Sequence, residues 1–279
     1  MHETKSFKVA RWVFLGLLTL FVLIPLYQMI MTSLKPLLDV QGDFTWFPSE
    51  VTFDAYVSMW ERVALGKYIL NSLIVSFTAS TISVVVALFA AYAVSRSRFR
   101  ARSAFMTTIL STQMFPGLLF LLPLYLLYVQ IDQVFGVALI GTYWGMIITY
   151  LTFCLPFSTW MLASYLDGIP RELDDAASID GAGVLRTIFQ VIVPVSLPGL
   201  VAVWTFSFII AWSEILFASV LADKNTRVVS LGLQMYATEM GVYWNEVMAA
   251  SLVVSVPIVI FFILIQRYII SGFTAGSVK

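Results

Sequence analysis

The sequence predicts an all-α membrane protein with six transmembrane helices. Of its 279 residues, 60% are hydrophobic and 11% are charged, whereas a soluble globular chain carries about 25% charged residues. The apolar residues form continuous runs, not the alternating pattern of a membrane β-barrel. Six of these runs are long enough to cross the bilayer core as a helix, which takes about 20 residues.

The six predicted spans occupy residues 12–34, 69–94, 104–129, 139–166, 195–221 and 247–270. The first follows a basic segment, as the apolar part of a secretory signal does. It is longer than that part of a signal, which has about 7–15 residues, and no small-residue cleavage site follows it. We therefore interpret it as a retained anchor. The spans predict one membrane domain over residues 12–270, between short tails at residues 1–11 and 271–279.

The lysine and arginine residues between the spans predict the orientation, because cytoplasmic loops are enriched in them. Eleven of the sixteen fall on one side: Lys5, Lys8, Arg11, Arg96, Arg98, Arg100, Arg102, Arg171, Arg186, Arg267 and Lys279. The other side holds Lys35, Arg62, Lys67, Lys224 and Arg227. Both termini and the loop at residues 167–194 are therefore predicted to be cytoplasmic.

The composition argues against several kinds of site. The single cysteine, Cys154, forms no internal disulfide and no cysteine-based zinc cluster, and the single histidine, His2, lies in the N-terminal tail. We expect no catalytic residue, metal site or cofactor in this chain. It contains no Gly-x4-Gly-Lys-Ser/Thr phosphate loop, and its equal numbers of basic and acidic residues do not attract nucleic acid.

The second span carries a series of small polar residues. Ser72, Ser76, Ser80 and Ser83 recur at helical spacing, and small side chains let helix backbones approach closely in lipid. We interpret this series as a helix-packing seam, with a polar wall of a pathway as the alternative.

Three residues in the third and fifth spans are candidates for a transport pathway. Gln113 precedes Pro116 and Gly117, which predict a kink, and broken membrane helices occur where protein or a cavity receives the freed backbone groups. Glu214 is placed inside the fifth span, where a charge costs about 3 kcal/mol, and Trp212 belongs to an aromatic stripe. For Gln113, Trp212 and Glu214, a pathway role and a structural role both remain open.

The loop between the fourth and fifth spans contains a short acidic helix. Pro170 suits the first helical position, and acidic residues in the first turn are favoured by the helix dipole. Gly181 is predicted to end the helix, because glycine adopts the left-handed conformation without steric cost. A second helical run, at residues 184–193, is predicted to end before Pro194. On these features alone, the loop could be a solvated connector.

The same loop resembles the EAA motif of ABC-transporter permeases, Glu-Ala-Ala-x3-Gly-x9-Ile-x-Leu-Pro. The matching residues are Asp175, Ala176, Ala177, Gly181, Val191, Val193 and Pro194, with Asp for Glu and Val for Ile and Leu. In that family the motif is the cytoplasmic coupling helix, which docks into a cleft of the ATP-hydrolysing subunit. The resemblance therefore implies an ATPase-coupling role for Asp175, Ala176, Ala177, Asp180, Gly181 and Pro194.

The C-terminal sequence, Gly-Phe-Thr-Ala-Gly-Ser-Val-Lys at residues 272–279, resembles the tail of the maltose-type permease of carbohydrate importers, Gly-Leu-Thr-x-Gly-x-Val-Lys. The stretches Gln113-Met114-Phe115-Pro116 and Trp212-Ser213-Glu214 agree with that family, and the resemblance covers nearly the whole chain. It implies a type I ABC-importer permease fold. It also implies that the tail contacts the ATPase subunits through Thr274, Gly276 and Lys279.

The resemblance implies half of the translocation pathway of an ATP-driven importer of a di- or oligosaccharide, multi-pass in the prokaryotic inner membrane. The implied partners are a homologous second permease, two ATP-binding subunits that hold ATP and Mg, an extracytoplasmic solute-binding protein and the lipid bilayer. The chain itself is expected not to be an enzyme. The alternatives are a permease for a polyol or glycerol-phosphate, an ion-gradient-driven carrier, and a structural membrane subunit.

Overall fold

The computed structural model describes residues 4–97, 99–238 and 241–275. The first five helices are α1 (Lys5–Ser33), α2 (Leu37–Gln41), α3 (Asp54–Arg62), α4 (Leu65–Arg96) and α5 (Arg102–Thr112). They are followed by α6 (Leu118–Phe135), α7 (Tyr143–Asp167), α8 (Glu172–Ile179), α9 (Val184–Thr187), a π-helical turn (Ile188–Ile192) and α10 (Val193–Ser213). The last elements are α11 (Leu216–Leu221), α12 (Val229–Gln234), the strands β1 (Ala237–Thr238) and β2 (Gly241–Val242), and α13 (Trp244–Ala275).

Six helical segments within the described ranges are long and apolar enough to cross a membrane. They are Phe7–Ser33, Leu65–Arg96, Leu118–Phe135, Tyr143–Asp167, Val184–Ser213 and Trp244–Gln266. The prediction of an all-α, six-span membrane protein is therefore confirmed, although several of the predicted span boundaries differ.

The third apolar run is broken, not kinked. Helix α5 ends at Thr112 and α6 begins at Leu118, so that Gln113 to Gly117 separate two helices. Pro116 lies in this break, since it has no N–H to donate and its ring clashes with the preceding turn. The spanning segment is α6, which extends to Phe135 and contains Pro123.

The prediction that the helical run at residues 184–193 ends before Pro194 is wrong. The run continues through the π-helical turn into α10, and the Val193 N–H donates to the carbonyl of Ile188. A π-helical turn moves each hydrogen bond to the fifth preceding carbonyl. Pro194 then lies at the second position of α10, directly after the π-helical turn.

The chain divides into two compact units. The first unit comprises Met1–Gly66 and Gly232–Val256, and the second comprises Lys67–Leu231 and Pro257–Lys279. The second unit holds the break in the third run and the loop at residues 167–194.

The core of the second unit contains the predicted packing seam. Ser83 of α4 hydrogen-bonds Ser158 of α7 at 3.0 Å, and Ser158 hydrogen-bonds Ser207 of α10 at 2.9 Å. All three serines are fully buried, as are Ser72, Ser76 and Ser80. Because these side chains are small, α4, α7 and α10 meet closely here, and the hydroxyl groups of Ser83, Ser158 and Ser207 hydrogen-bond one another. The helix-packing interpretation is confirmed.

The first unit contains an ion pair that was not predicted, in which only the carboxylate is buried. Glu246, in the first turn of α13, is 4% exposed. It accepts hydrogen bonds from Arg62 Nε at 2.6 Å, Arg62 Nη2 at 2.9 Å and Ser58 Oγ at 3.1 Å. The hydrogen bonds to Glu246 raise the pKa of Arg62, whose guanidinium lies 3.5 Å from the centre of the Tyr243 ring. The pair ties α3 to the start of α13, 184 residues later.

Candidate functional site

The loop at residues 167–194 contains a two-turn helix with a glycine end. Helix α8 begins at Glu172, two residues after Pro170, so Pro170 precedes the helix and does not open it. Gly181 has a φ of 77°, in the left-handed region that was predicted for it. The N–H of Gly181 donates to Ser178 O at 3.1 Å, and the N–H of Ala182 donates to Ala177 O at 2.9 Å. These two bonds form a Schellman motif, which satisfies the last carbonyls of α8.

One side of this loop is exposed and largely apolar. Asp175, Ala176 and Ile179 share a side of α8 by their helical spacing, and Ile179 is 87% exposed. Beyond Gly181, Val184 and Leu185 are each 63% exposed. We call the following set the exposed loop surface: Asp175, Ala176, Ile179, Asp180, Val184 and Leu185. Val184 and Leu185 begin the candidate span Val184–Ser213, whereas Ile179 lies outside all six candidate spans, so its exposed side chain is a candidate contact for a partner. Ile179, Val184 and Leu185 were not predicted.

The opposite side of α8 is held by polar contacts to α4. Ala177 is buried there, and Asp174 accepts a hydrogen bond from Tyr92 at 2.8 Å. Arg96 Nε lies 2.9 Å from Asp174 Oδ2 and forms an ion pair with it. Arg171, just before α8, donates to Ser95 O at 2.7 Å. The sequence analysis used Arg96 only to predict the membrane orientation, whereas in the structure it joins α4 to α8, which are distant in sequence.

A cavity of about 650 Å³ lies in the second unit at the break between α5 and α6. It is lined by Thr112, Gln113, Phe115, Gly117, Phe120, Pro123, Leu124, Leu127, Thr152, Phe153, Pro156 and Phe217. Gln113 Nε2 donates to Phe153 O at 3.2 Å. The rings of Phe153 and Phe217 lie 4.9 Å apart. The lining therefore combines aromatic side chains with a few hydroxyl and amide groups, as small-molecule sites do.

The placement of Glu214 inside a span is wrong. Helix α10 ends at Ser213, and Glu214 has an extended ψ of 127°. Its carboxylate accepts hydrogen bonds from the N–H groups of Phe217 at 2.9 Å and Ala218 at 3.1 Å. An acidic side chain that satisfies the first N–H groups of a helix stabilises its start. Glu214 therefore fixes α11, and Phe217 of that helix lines the cavity.

Of the three candidate pathway residues, only Gln113 lines the cavity. Glu214 acts on the cavity wall through α11. Trp212 is 4% exposed, and its ring stacks on Phe208 at 5.6 Å between centroids, so it packs in the aromatic stripe of α10. The break at residues 113–117 and helix α11 thus border the same cavity from two parts of the chain.

The predicted coupling residues lie in several places. Asp175, Ala176 and Asp180 are exposed, Ala177 is buried, Gly181 forms the turn, and Pro194 lies within the continuous helix. Thr274 belongs to α13, but its side chain lies outside the described residues, as do Gly276 and Lys279 altogether.

Comparison with known proteins gives a family match over most of the chain. The family model described as binding-protein-dependent transport system inner membrane component matches residues 83–274. This range includes the cavity and the whole of the loop at residues 167–194.

Several curated proteins are similar over nearly their full length. The inner membrane ABC transporter permease protein YcjP of Escherichia coli K12 is 35% identical, over 95% of this chain and 94% of its own. The diacetylchitobiose uptake system permease protein DasC of Streptomyces coelicolor is 32% identical, over 91% of both chains. The trehalose/maltose transport system permease protein MalG of Thermococcus litoralis is 34% identical, over 82% of this chain and 81% of its own.

The fold is also found in a solved structure. A chain of a bacterial ABC transporter involved in the import of the acidic polysaccharide alginate superposes with a TM-score of 0.80, covering 96% of this chain and 99% of that chain. At 20% identity, this likeness concerns the fold alone. It confirms the predicted permease fold of ABC importers.

Proposed function

The chain belongs to the family of binding-protein-dependent transport system inner membrane components, and from this premise we propose that it forms half of the pathway of an ATP-driven importer of a di- or oligosaccharide. Relatives of at least 30% identity include permeases named for diacetylchitobiose, trehalose and maltose. The observation that supports coupling to ATP is the exposed loop surface, which combines apolar and acidic side chains on a helix whose inner side is held by Asp174 and Ala177.

The exposed loop surface fits a partner subunit. The Ile179 side chain, which lies outside the candidate spans, gains free energy when a partner removes it from water, at about 25 cal/mol per Å². Ala176 adds little bulk, and Gly181 turns the chain away from α8, so that a partner can approach the helix closely. Because the buried side of α8 is held by Asp174 and Ala177, a force applied to this surface acts on the membrane helices and does not merely bend a loop.

The cavity supports a transport pathway shared with a second subunit. Broken helices are retained in membrane proteins where they border a cavity, and here the break at Gln113 and the start of α11 both contribute to it. Aromatic faces such as those of Phe153 and Phe217 suit the apolar faces of a sugar ring, while Gln113 and Thr152 offer hydrogen bonds to its hydroxyl groups. A homologous second permease would supply the facing wall.

The complete importer needs further components. We expect two ATP-binding subunits that hold ATP and Mg, an extracytoplasmic solute-binding protein, and the cytoplasmic membrane of a prokaryote, with the exposed loop surface on the cytoplasmic side. The ATP would be hydrolysed by those subunits, and this chain would bind no cofactor. The tail residues expected to contact the ATPase subunits are Thr274, Gly276 and Lys279.

The direct test is ATPase activity of the reconstituted complex. With a panel of mono- and disaccharides presented on the solute-binding protein, we expect one sugar class to stimulate ATP hydrolysis together with uptake into proteoliposomes. Stimulation by polyols or glycerol-phosphate alone would replace the sugar assignment. Ion-driven uptake by the purified chain without partners would overturn the ATP-driven mechanism.

The pathway assignment is tested by cysteine labelling at Gln113. Cys154 is buried and donates to Ser207 O at 3.6 Å, so a Cys154→Ser background keeps a donor and removes the native thiol. In that background we expect Gln113→Cys to react with a membrane-impermeant thiol reagent, and the transported sugar to slow the reaction. Thr107→Cys is the matched control, because Thr107 is exposed on α5 but does not line the cavity. Equal rates at Gln113→Cys with and without substrate would contradict a pathway role.

A further inference from the structure

Two adjacent acidic residues of α8 face opposite directions. Asp175 belongs to the exposed loop surface, whereas the Asp174 side chain is 16% exposed and forms its ion pair with Arg96, which is 11% exposed. Tyr92, one turn before Arg96 on α4, donates a hydrogen bond to the other carboxylate oxygen at 2.8 Å. Because both charged groups are largely removed from water, their attraction is screened less than that of a surface pair.

The Arg96 guanidinium also reaches the end of α7. Its Nη1 donates to the carbonyls of Leu166 at 3.1 Å and Ile169 at 3.2 Å. These carbonyls lie at the carboxyl end of α7, where a positive charge is favoured by the helix dipole. One side chain of α4 therefore contacts both the end of α7 and the inner side of α8.

A second set of contacts surrounds this ion pair. Arg171 donates to the carbonyls of Ser95 and Arg96 at the end of α4. Asp167 accepts hydrogen bonds from Ser95 Oγ at 2.8 Å and from Arg102 at 2.6 Å. The Asp167–Arg102 pair is more than 40% exposed on both sides, so water weakens it more than the Arg96–Asp174 pair.

Chain connectivity explains why the inner pair matters. Helix α8 is joined by short segments to α7 before it and to α9 and α10 after it, but α5, α6 and α7 separate it from α4 in sequence. Movement of α8 can reach α4 only through side-chain contacts. Leu173 of α8 packs against the buried apolar residues of α4, α7 and α10. The hydrophobic effect is not directional, so such contacts do not fix one position of α8. The largely buried Arg96–Asp174 ion pair favours one position of α8 on α4, because Tyr92 hydrogen-bonds Asp174 Oδ1 and Arg96 Nη1 hydrogen-bonds two carbonyls at the end of α7.

We propose that Arg96 and Asp174 are positioning residues that lock α8 to α4, so that displacement of the exposed loop surface moves α4 together with α7 and α10. This proposal rests on the proposed function, because it explains how movement of the ATPase subunits would be transmitted to α4, a membrane helix that does not adjoin the loop in sequence. Asp175 differs from its neighbour, since it contacts the partner and transmits nothing to α4.

A double-mutant cycle tests this lock. Asp174→Asn and Arg96→Gln are each expected to lower the ratio of sugar transported to ATP hydrolysed about fivefold, in complexes that still assemble. The double variant is expected to lose no more than the worse single variant, because the two residues act through one contact. Glu172→Gln is the matched control, because it also turns a carboxylate into an amide, on an exposed residue of α8 outside the exposed loop surface, and it should leave this ratio unchanged.

The outcomes separate this proposal from the proposed function. If the wild-type complex shows no sugar-stimulated ATPase activity, this result contradicts the proposed function and not the proposed role of Arg96 and Asp174. If the wild type transports but both single variants keep the normal ratio, or if their losses multiply in the double variant, the lock is overturned. Should Arg96→Gln fail to assemble, Tyr92→Phe removes only the hydroxyl that bonds Asp174, and an unchanged ratio in that variant also counts against the lock.

Discussion

Gly181→Asp is expected to reduce sugar uptake at least tenfold, equivalent to about 1.4 kcal/mol, in a protein that still folds and inserts. No atom lies within 4 Å of a Cβ built at Gly181, so the side chain meets no clash within the chain. Its φ of 77° costs Asp little, since Asp is among the residues that tolerate the left-handed conformation. The added carboxylate would lie beside the exposed loop surface, where a docked partner must desolvate it at a cost of several kcal/mol.

Two variants separate charge from backbone strain in this experiment. Gly181→Asn has nearly the same shape and no charge, so we expect most of the uptake to be retained. Gly183 has an ordinary φ of −74° and no atom within 4 Å of a built Cβ, so Gly183→Asp introduces a charge nearby without strain. Uptake and sugar-stimulated ATPase activity in proteoliposomes are the measurements. Normal uptake with full coupling in Gly181→Asp would remove Gly181 from the docking surface.

Gly145→Ala is expected to destabilise the protein by about 3 kcal/mol, at the upper end for overpacking. A Cβ built at Gly145 lies 2.1 Å from the carbonyl oxygen of Leu139 and 2.8 Å from its carbonyl carbon. These are backbone atoms, so no side chain can rotate away. Helix α7 cannot move freely either, because the Gly145 N–H donates to Thr142 Oγ1 at 3.1 Å and its carbonyl accepts from the buried Tyr128 hydroxyl at 3.2 Å.

Unfolding of the detergent-solubilised protein measures this effect. Gly16→Ala is the matched control, since Gly16 is exposed on α1 and nothing lies within 4 Å of its built Cβ. Alanine in a helix interior is favoured over glycine by up to about 1 kcal/mol, so this control should unfold no earlier than wild type. A Gly145→Ala protein that unfolds at the wild-type midpoint would show that the turn before α7 relaxes at no cost.

The span count was predictable, whereas several helix ends were not. Continuous apolar runs are a local property of the sequence, so composition and length were sufficient to predict six spans. Where a helix ends depends on which polar group satisfies the terminal backbone atoms. Glu214 satisfies the N–H groups of α11 and so begins a new helix. A π-helical turn lets the chain pass Pro194 without a break. Residue spacing alone predicts neither the start of α11 nor the π-helical turn.

The candidate site was predicted in outline. Gly181 was recognised from residue type, because a left-handed turn after a short helix strongly favours glycine. Its neighbours Ile179, Val184 and Leu185 were not, since an apolar residue in an apolar sequence carries no signal of exposure. Glu246 was missed for a related reason: its burial depends on Arg62, which lies in a distant part of the sequence. The roles of Gln113, Trp212 and Asp175 stay predictions.

The sequence by itself determined the membrane class, the number of spans, the family resemblance and the position of the short helix and its glycine end in the loop at residues 167–194. Each of these follows from local composition or from a short motif. Only the tertiary structure decided that Asp174 faces Arg96 while Asp175 faces outward, that Glu214 satisfies the first N–H groups of α11, and that the break at residues 113–117 and α11 border one cavity. These features require contacts between residues that are far apart in the chain. Buried polar groups in folded proteins are nearly always hydrogen-bonded, and the partner can come from any part of the chain that the fold brings close.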